Sequence, residues 1–127
     1  MESTNLAAMN ALEMSKHSIK DIDVAEVHDA FSVCEPMALE SLGFIDKGKG
    51  INLIKELHAT NNLKINPRGG LIGSGHPLGA TGIAQTIEIT QQLQLCANKR
   101  QVENANIGLI HNMSAAATSS TVLILER

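Results

Sequence analysis

Apolar residues near the amino terminus recur at the spacing of an amphipathic helix. Leu6, Met9 and Leu12 follow one another at intervals of three, and alanines fill the positions between them. Ser3 and Thr4 precede this stretch and have side chains that favour the start of a helix. The pattern predicts a first helix that ends at about residue 16.

The next segment changes from helical to strand-like spacing. Residues 21–27 (DIDVAEV) place branched apolar side chains on one face and predict a strand. A second helix follows, and its start is marked by Ser32 and Glu35, whose spacing fits a capping box. Pro36 is compatible with the first turn of that helix, and Gly43 is a suitable residue for its carboxyl end.

Helical and strand-like segments alternate over the rest of the chain. The predicted elements are a short amphipathic helix over 51–58, an irregular segment over 61–75, a long helix over 77–95 that begins at a proline, and strands over 107–110 and 121–125. The last strand, TVLIL, is continuously apolar and is predicted to be buried on both faces. This order predicts an α/β fold in which helices flank a mixed sheet, with residues 1–127 as one domain.

Composition excludes some classes of function. The chain of 127 residues has ten basic and thirteen acidic residues, no Trp or Tyr, and two Phe. A net charge of −3 and the scarcity of aromatic side chains argue against binding to nucleic acid. No apolar run approaches the roughly 20 residues that span a bilayer, and the amino terminus does not resemble a secretory signal. We therefore expect neither a nucleic-acid partner nor a membrane partner.

The chain has two cysteines, Cys34 and Cys96. Their spacing matches neither a metal site nor a disulfide framework, which favours a reducing, cytoplasmic setting. Each is interpreted as a small apolar side chain rather than a nucleophile, because neither lies in an evidently activating environment.

Residues 73–82, GSGHPLGATG, carry the densest chemical signal. They place His76 among glycines that allow a ligand to approach the backbone, at the predicted start of a helix whose amino end favours anions. A neutral imidazole in that position can take a proton from a nucleophile and then donate a hydrogen bond to an oxyanion. The alternative is purely structural: His76 caps a glycine-rich turn.

Two further histidines lie where predicted strands end. His28 and Asp29 follow the first predicted strand, and His111 and Asn112 follow the strand over 107–110. Ligands collect at the carboxyl ends of strands in α/β sheets, so His28 is well placed for a site. Both pairs also fit an ordinary polar strand end. A zinc site formed by the three histidines is the remaining alternative, and none of the spacings is diagnostic for it.

Several segments taken together resemble the carboxy-terminal part of the thiolase family. DIDVAEVHDAF, NPRGGLIGSGHPLGATG and the ending GLIHN…TVLILER carry the resemblance, which covers nearly the whole chain. The HDAF form is similar to sterol-carrier-protein-type and archaeal-type acetyl-CoA acetyltransferases. The resemblance implies a thiolase-like carboxy-terminal domain that is incomplete on its amino-terminal side, with earlier strands lying centrally in its sheet.

The resemblance also implies an acyltransferase of lipid metabolism, which forms or cleaves 3-ketoacyl-CoA by Claisen chemistry. It assigns His76 to activating a cysteine and to binding the thioester oxygen. It assigns His28 to orienting a water or donor that stabilises the enolate of the second substrate. Gly75, Pro77 and Phe31 are the expected substrate-binding neighbours. Coenzyme A thioesters are then substrates, and we expect no cofactor and no metal.

The chain departs from the thiolase pattern in two ways. Thiolases carry their nucleophilic cysteine in an amino-terminal half, which these residues do not include. The C-x-G motif that supplies a second cysteine in many thiolases is replaced here by HNMSAAATSS. We therefore expect the chain to be inactive alone and to be completed by an amino-terminal thiolase half or another subunit. The alternative is a non-catalytic, degenerate thiolase-like module that binds coenzyme A or assembles. Unpaired sheet edges also lead us to expect a homo-oligomer.

Overall fold

Helices cover both faces of one mixed sheet. The computed structural model describes residues 1–51 and 64–127. The helices bounded within these ranges are α1 (Glu2–Ser15), α2 (Cys34–Leu42), α3 (Gly70–Ser74) and α4 (Thr81–Leu93). The strands are β1 (Val24–Glu26), β2 (Lys64–Ile65), β3 (Ile107–Met113) and β4 (Ser120–Glu126). The predicted α/β class with a mixed sheet is confirmed.

The order of the strands brings two carboxyl ends together. The sheet order is β2–β1–β3–β4, in which β1 is parallel to both β2 and β3, and β4 is antiparallel to β3. Because β1 and β3 run in the same direction, their carboxyl ends lie at the same end of the sheet. The polar residues at or after those ends therefore lie close together.

The two faces of the sheet belong to two separate cores. Leu109 packs in the core under α1 and α2, whereas its neighbour Ile110 packs with Ile89 of α4. Successive side chains of a strand point to opposite faces, so this alternation follows from the strand itself. Gly108 lets α4 lie close to the sheet, because a Cβ at that position would overlap the side chain of Ile89.

The predicted first two helices are confirmed, with a difference at one end. α2 is capped at its carboxyl end by Gly43, which has a left-handed φ of 92° as expected for that residue. The capping box predicted for α2 does not form: Val33 is the N-cap residue, and no side chain caps the helix. Glu35 instead accepts a hydrogen bond from the side-chain amide of Asn66 at 3.3 Å, which directs it away from Ser32.

The strands differ from prediction in extent and exposure. The strand predicted over 21–27 is confined to β1, because Ile19–Asp21 form a 3-10 turn. The segment predicted as irregular over 61–75 contains β2 and α3 in its described part, so that prediction is wrong there. β4 is a strand as predicted, but it forms an edge of the sheet and Leu123 is 44% exposed. The prediction that β4 is buried on both faces is therefore wrong.

Two expectations concern parts of the chain beyond these elements. The helix predicted over 51–58 lies outside the described residues apart from its first position. β1 pairs directly with β3 in the described sheet. The expectation that further strands lie centrally in the family's domain concerns residues outside this chain and stays a prediction. Within the described ranges, no helix has the length and apolar character needed to cross a membrane.

Candidate active site

The parallel pairing of β1 with β3 brings His28 and Asn112 together. Glu26 pairs with Ile110, so the residues two positions further along each segment lie side by side. His28 Nδ1 is 3.0 Å from Asn112 Oδ1. The two polar strand ends that the sequence indicated separately therefore form one site.

Two further hydrogen bonds fix the tautomer of His28. Gln85 Nε2 donates to the backbone carbonyl of His111 at 3.2 Å, and a carbonyl can only accept. Gln85 Oε1 then accepts from Asn112 Nδ2 at 3.0 Å, which leaves Asn112 Oδ1 as the acceptor for His28. His28 therefore carries its proton on Nδ1, and its Nε2 keeps the lone pair.

His76 is held in the same tautomer by a different partner. The hydroxyl of Thr81 donates its hydrogen to the Pro77 carbonyl at 3.1 Å. Its oxygen must therefore accept from His76 Nδ1, which lies 2.7 Å away. In the neutral ring, His76 Nε2 then has the lone pair that a general base requires.

The helix that follows His76 begins later than predicted. α4 starts at Thr81 rather than at Pro77. The intervening residues form a separate turn, in which the backbone N–H groups of Ala80 and Thr81 donate to the Pro77 carbonyl at 2.9 and 3.0 Å. The helix therefore starts four residues later than predicted, and His76 contacts its first residue, Thr81. The side chain of Thr81, rather than the helix amino end, orients the ring.

The structure brings the two predicted catalytic histidines into contact. The rings of His28 and His76 meet edge to face, with their centroids 4.7 Å apart and their planes at 86°. His28 is 4% exposed. Burial lowers the pKa of His28, and a positive charge on His76 would lower it too, whereas the hydrogen bond to Asn112 has the opposite effect. His28 is therefore held as a neutral imidazole.

Asp29 positions the loop that carries His76. Its Oδ1 accepts a hydrogen bond from the backbone N–H of Leu71 at 2.6 Å. Gly70 lies directly against the same carboxylate, and a Cβ there would overlap Asp29. Gly70 also has a φ of 62°, in the left-handed region that favours glycine. Asp29, which the sequence presented only as a polar neighbour of His28, therefore seats α3 beside the end of β1.

His28 and His76 line a cleft of about 720 Å³. The other lining residues are Met1, Ala30, Phe31, Cys34, Met37, Leu78, Asn112, Met113, Ser114, Ala115, Ala116 and Ala117. Phe31 is 71% exposed at this cleft. Gly75 and Pro77 flank His76 on the exposed surface, outside the set of lining residues. The substrate-binding role assigned to these three residues stays a prediction.

Cys34 lies in the same cleft. It is the first residue of α2 and is partly buried. Its interpretation as a small apolar side chain also stays a prediction. Across residues 1–51 and 64–127, no cluster of three or more His, Cys, Asp or Glu side chains is arranged to hold a metal ion.

His111 lies beneath the cleft rather than in it. Its side chain is fully buried, with Nε2 3.1 Å from Thr4 Oγ1 and Nδ1 3.5 Å from the backbone nitrogen of His28. Burial lowers the pKa of His111 to about 4, and a charge on His28 would lower it in the same direction. His111 is therefore a neutral interior side chain that contacts the backbone of His28.

Comparison with known proteins identifies the family. The family model described as "Thiolase C-terminal domain-like" matches residues 1–127. The chain belongs to the thiolase family. The resemblance carried by the HDAF and GHPLGATG segments is confirmed.

Two relatives illustrate how much of a thiolase-family protein this chain represents. The chain is 44% identical over its whole length to an acetyl-CoA acetyltransferase of Methanothermobacter thermautotrophicus, of which it covers 34%. It is 47% identical over 84% of its length to human sterol carrier protein 2, of which it covers 20%. The chain thus spans about a third of the first relative and about a fifth of the second. The family model matches it to the carboxy-terminal domain of a thiolase.

Solved structures show the same fold. The Ltp2-ChsH2(DUF35) aldolase matches 97% of this chain with a TM-score of 0.84 and 22% identity, and 31% of that chain is covered. The peroxisomal 3-ketoacyl-CoA thiolase of Saccharomyces cerevisiae matches 98% with a TM-score of 0.57 and 26% identity, and 29% of it is covered. The aldolase supports the fold alone at this identity.

The thiolase motifs did not reveal the residues that orient the two histidines. Thr81 lies inside the GHPLGATG segment, yet no role was assigned to it. Gln85 and Asn112 hold His28, and neither belongs to the HDAF segment. The sequence of α4 did carry a signal for buried polar residues, because Thr81, Gln85 and Gln92 lie on the same helical face as the apolar Ile89. All four side chains are buried. Polar side chains on the apolar face of a helix indicate specific buried hydrogen bonds.

Proposed function

We propose that this chain is the carboxy-terminal part of a thiolase-type acyltransferase that forms or cleaves 3-ketoacyl-CoA thioesters. The contact between His28 and His76 at one cleft, each with an unprotonated Nε2, carries the proposal. The relative named acetyl-CoA acetyltransferase supports coenzyme A thioesters as the substrate class. Because the chain spans only 34% of that relative, the site would be completed by polypeptide outside these residues.

His76 acts as the base for a cysteine in this mechanism. Nε2 takes the thiol proton, and the thiolate attacks the carbonyl carbon of the acyl-CoA, so that a new carbon–sulfur bond forms. The imidazolium then donates a hydrogen bond to the oxyanion, which places the positive charge where negative charge develops. When the bond to the sulfur of coenzyme A breaks, that sulfur takes the proton back from His76.

His28 serves the enolate of the second substrate. Its Nδ1 hydrogen is committed to Asn112, so the remaining Nε2 can accept a hydrogen bond but cannot donate one. A water that donates one hydrogen to His28 Nε2 has a second hydrogen available for the enolate oxygen. Of the two partners that the resemblance implied for His28, a water or another donor, a water fits this geometry, because it can donate to Nε2 and to the enolate oxygen at once.

The completing polypeptide would dock on α4. Ile83 and Ile87 of this helix are 64% and 52% exposed, and Leu78 before it is 84% exposed. They line a groove of about 490 Å³ that shares Leu78 and Asn112 with the cleft. The yeast thiolase is described as five layers, α-β-α-β-α, built from two core domains of identical topology. Each core domain then has a sheet between two helical layers, and the two domains share one helical layer, which makes five layers in total. We assign α4 to that shared layer.

Complementation tests the proposal. This chain is produced alone and together with the amino-terminal part of the Methanothermobacter relative, and thiolysis of acetoacetyl-CoA is measured. We expect no turnover by the chain alone and measurable turnover by the mixture. His76→Ala and His28→Ala should remove the activity of the mixture. His17→Ala, which alters a histidine paired with Glu126 at 3.3 Å, is the matched control and should not.

Other outcomes would decide against the proposal. Turnover by the chain alone would contradict the need for a completing part, and Cys34→Ser would then show whether Cys34 is the nucleophile. Coenzyme A affinity measured by calorimetry, with no activity in any mixture and no effect of His76→Ala, would favour the non-catalytic module.

Assembly and location are further parts of the proposal. The outer edge of β4 is not paired by any strand in the described residues, and exposed edges favour association. We propose that the chain forms a homo-oligomer and works in the cytoplasm. Light scattering that shows a strict monomer at all concentrations would contradict the first statement, and fractionation of cells tests the second.

A further inference from the structure

The buried His111 begins a series of hydrogen bonds that the proposed mechanism does not use. His111 Nε2 lies 3.1 Å from Thr4 Oγ1, and Thr4 Oγ1 lies 2.9 Å from Ser120 Oγ. Ser120 Oγ lies 2.9 Å from Ser3 Oγ, which donates to the backbone carbonyl of Ala117 at 2.7 Å. We call His111, Thr4, Ser120 and Ser3 the His111 network. It joins β3, α1 and β4 to the loop that lines the cleft.

The direction of every bond in the His111 network follows from its last acceptor. A carbonyl only accepts, so Ser3 uses its single hydroxyl hydrogen on Ala117 and must accept from Ser120. Ser120 in turn accepts from Thr4, and Thr4 accepts from the Nε2–H of His111.

The other end of the network fits the same direction. A His111 ring protonated at Nε2 has a lone pair on Nδ1, which accepts from the backbone N–H of His28 at 3.5 Å. The low pKa of His111 agrees with this single tautomer, because an imidazolium would present a second donor to that N–H. The network therefore runs without a break from the backbone of His28 to the carbonyl of Ala117.

The loop at the end of the network needs an anchor. Ala116 and Ala117 have φ values of 57° and 53°, in the left-handed region that is unfavourable for a residue with a Cβ. Both alanines line the cleft together with His28 and His76. Strained backbone of this kind persists only where surrounding contacts hold it, and the bond from Ser3 to Ala117 is such a contact.

We propose that Thr4, Ser120 and Ser3, with His111 at their head, are positioning residues that fix the Ala115–Ala117 wall of the cleft relative to His28. These side chains act through the backbone of the loop and do not meet substrate. Their effect on turnover rests on the proposed function, whereas their effect on the loop does not.

Nuclear magnetic resonance of the full chain tests the network directly. Nitrogen-15 spectra should show His111 protonated at Nε2 and bare at Nδ1. Thr4→Val and Ser120→Ala should shift the amide signals of residues 115–117. They should also speed hydrogen exchange of the Ala117 amide, which donates to the Ser114 carbonyl within the loop, roughly five- to tenfold, because a loop whose anchor has lost one hydrogen bond opens more readily. Thr4→Ser keeps a hydroxyl and should restore the wild-type values.

Matched variants separate the network from general loosening of the loop. Ser119→Ala changes the neighbouring exposed serine outside the network and should leave the Ala117 amide unchanged. Ser3→Ala removes the last hydroxyl at a half-buried position and provides the test should Thr4→Val not fold. Equal effects of Ser119→Ala and Ser120→Ala, or a His111 ring protonated at Nδ1, would overturn the proposal.

Kinetics of the complemented protein address the functional consequence. Ser120→Ala should raise KM several-fold with little change in kcat, because the wall shapes binding and the histidines remain in place. An unchanged KM would refute the positioning role even with the loop signals shifted. If no mixture is active, the proposed function fails while the spectroscopic result on the network still stands.

Discussion

His28 and His76 meet edge to face, with 4.7 Å between their ring centroids, although 47 residues separate them in the sequence. Each ring has its Nδ1 hydrogen committed to a different partner, Asn112 for one and Thr81 for the other. The two partners therefore decide which nitrogen of each ring can do chemistry. The first two predictions remove or change these partners.

Replacing Thr81 by valine should weaken the orientation of His76. Valine keeps the shape of threonine but cannot accept from Nδ1, so the ring loses its fixed tautomer. We expect kcat of the complemented protein to fall about tenfold, the equivalent of one hydrogen bond of roughly 1.4 kcal/mol. Thr90→Val makes the same change further along α4, at a residue that lines neither the cleft nor the groove, and should leave kcat unchanged. A similar loss in both variants would contradict a specific role for Thr81.

Replacing Asn112 by aspartate should change the charge state of His28. A carboxylate beside Nδ1 stabilises the imidazolium, so the pKa of His28 should rise from its lowered value. Titration of the His28 ring by nuclear magnetic resonance measures this shift. Asn106→Asp, at the other end of β3, introduces the same charge at an exposed position and should leave the His28 titration unchanged. A His28 pKa that moves equally in both variants would show a general charge effect instead.

The sequence alone was sufficient to single out the two predicted catalytic histidines. The HDAF and GHPLGATG segments identified His28 and His76, and the alternation of helices and strands predicted the α/β fold. The parallel pairing of β1 with β3 was not predictable in its register, because register depends on contacts between residues far apart in the chain. The contact between His28 and Asn112 follows from that register.

Buried polar residues explain most of what the sequence could not show. Gln85 donates to the carbonyl of His111, and Gln92 donates to the carbonyl of Arg100 at 2.8 Å. Polarity alone assigns such residues to the solvent side of α4, although their helical spacing places them with Ile89, because the acceptors that they serve lie elsewhere in the chain. The capping box at Ser32 failed for a similar reason, since Glu35 found a partner in Asn66.

Gly70 should not tolerate a side chain. Alanine at this position would overlap the Asp29 carboxylate and would hold an unfavourable φ of 62°. We expect Gly70→Ala to lower the free energy of unfolding by at least about 2 kcal/mol, measured by urea denaturation. Gly73→Ala is the control on the same short helix, because a Cβ there has no neighbour within 4 Å, and it should be neutral or slightly stabilising. Equal stability of the two variants would contradict the role given to Gly70 and Asp29.

Glu26 should make the stability of the fold depend on pH. Its side chain is fully buried, Oε1 accepts from the backbone N–H of Arg68 at 3.4 Å, and Arg68 Nε lies 3.8 Å from Oε2. Burial raises the pKa of Glu26 to about 7, which Arg68 opposes and the charges of Glu88 and Asp29 reinforce. A raised pKa means that the folded chain binds this proton more tightly than the unfolded chain. The resulting stabilisation is fully present below the ordinary pKa of 4.5 and is lost as pH rises through about 7.

Glu26→Gln isolates this contribution, because glutamine is uncharged at every pH. Between about pH 4.5 and pH 7.5, wild type should lose on the order of 3 kcal/mol of unfolding free energy relative to the variant. His111, whose pKa is lowered, contributes stability above its unfolded value that is lost as pH falls towards 4, but it is present in both proteins and cancels from the difference. Glu103→Gln changes an exposed carboxylate and should show no such trend against wild type. Urea denaturation at several pH values gives the free energy of unfolding of all three proteins. If the difference in this free energy between wild type and Glu26→Gln stays constant with pH, the proton on Glu26 does not contribute to folding.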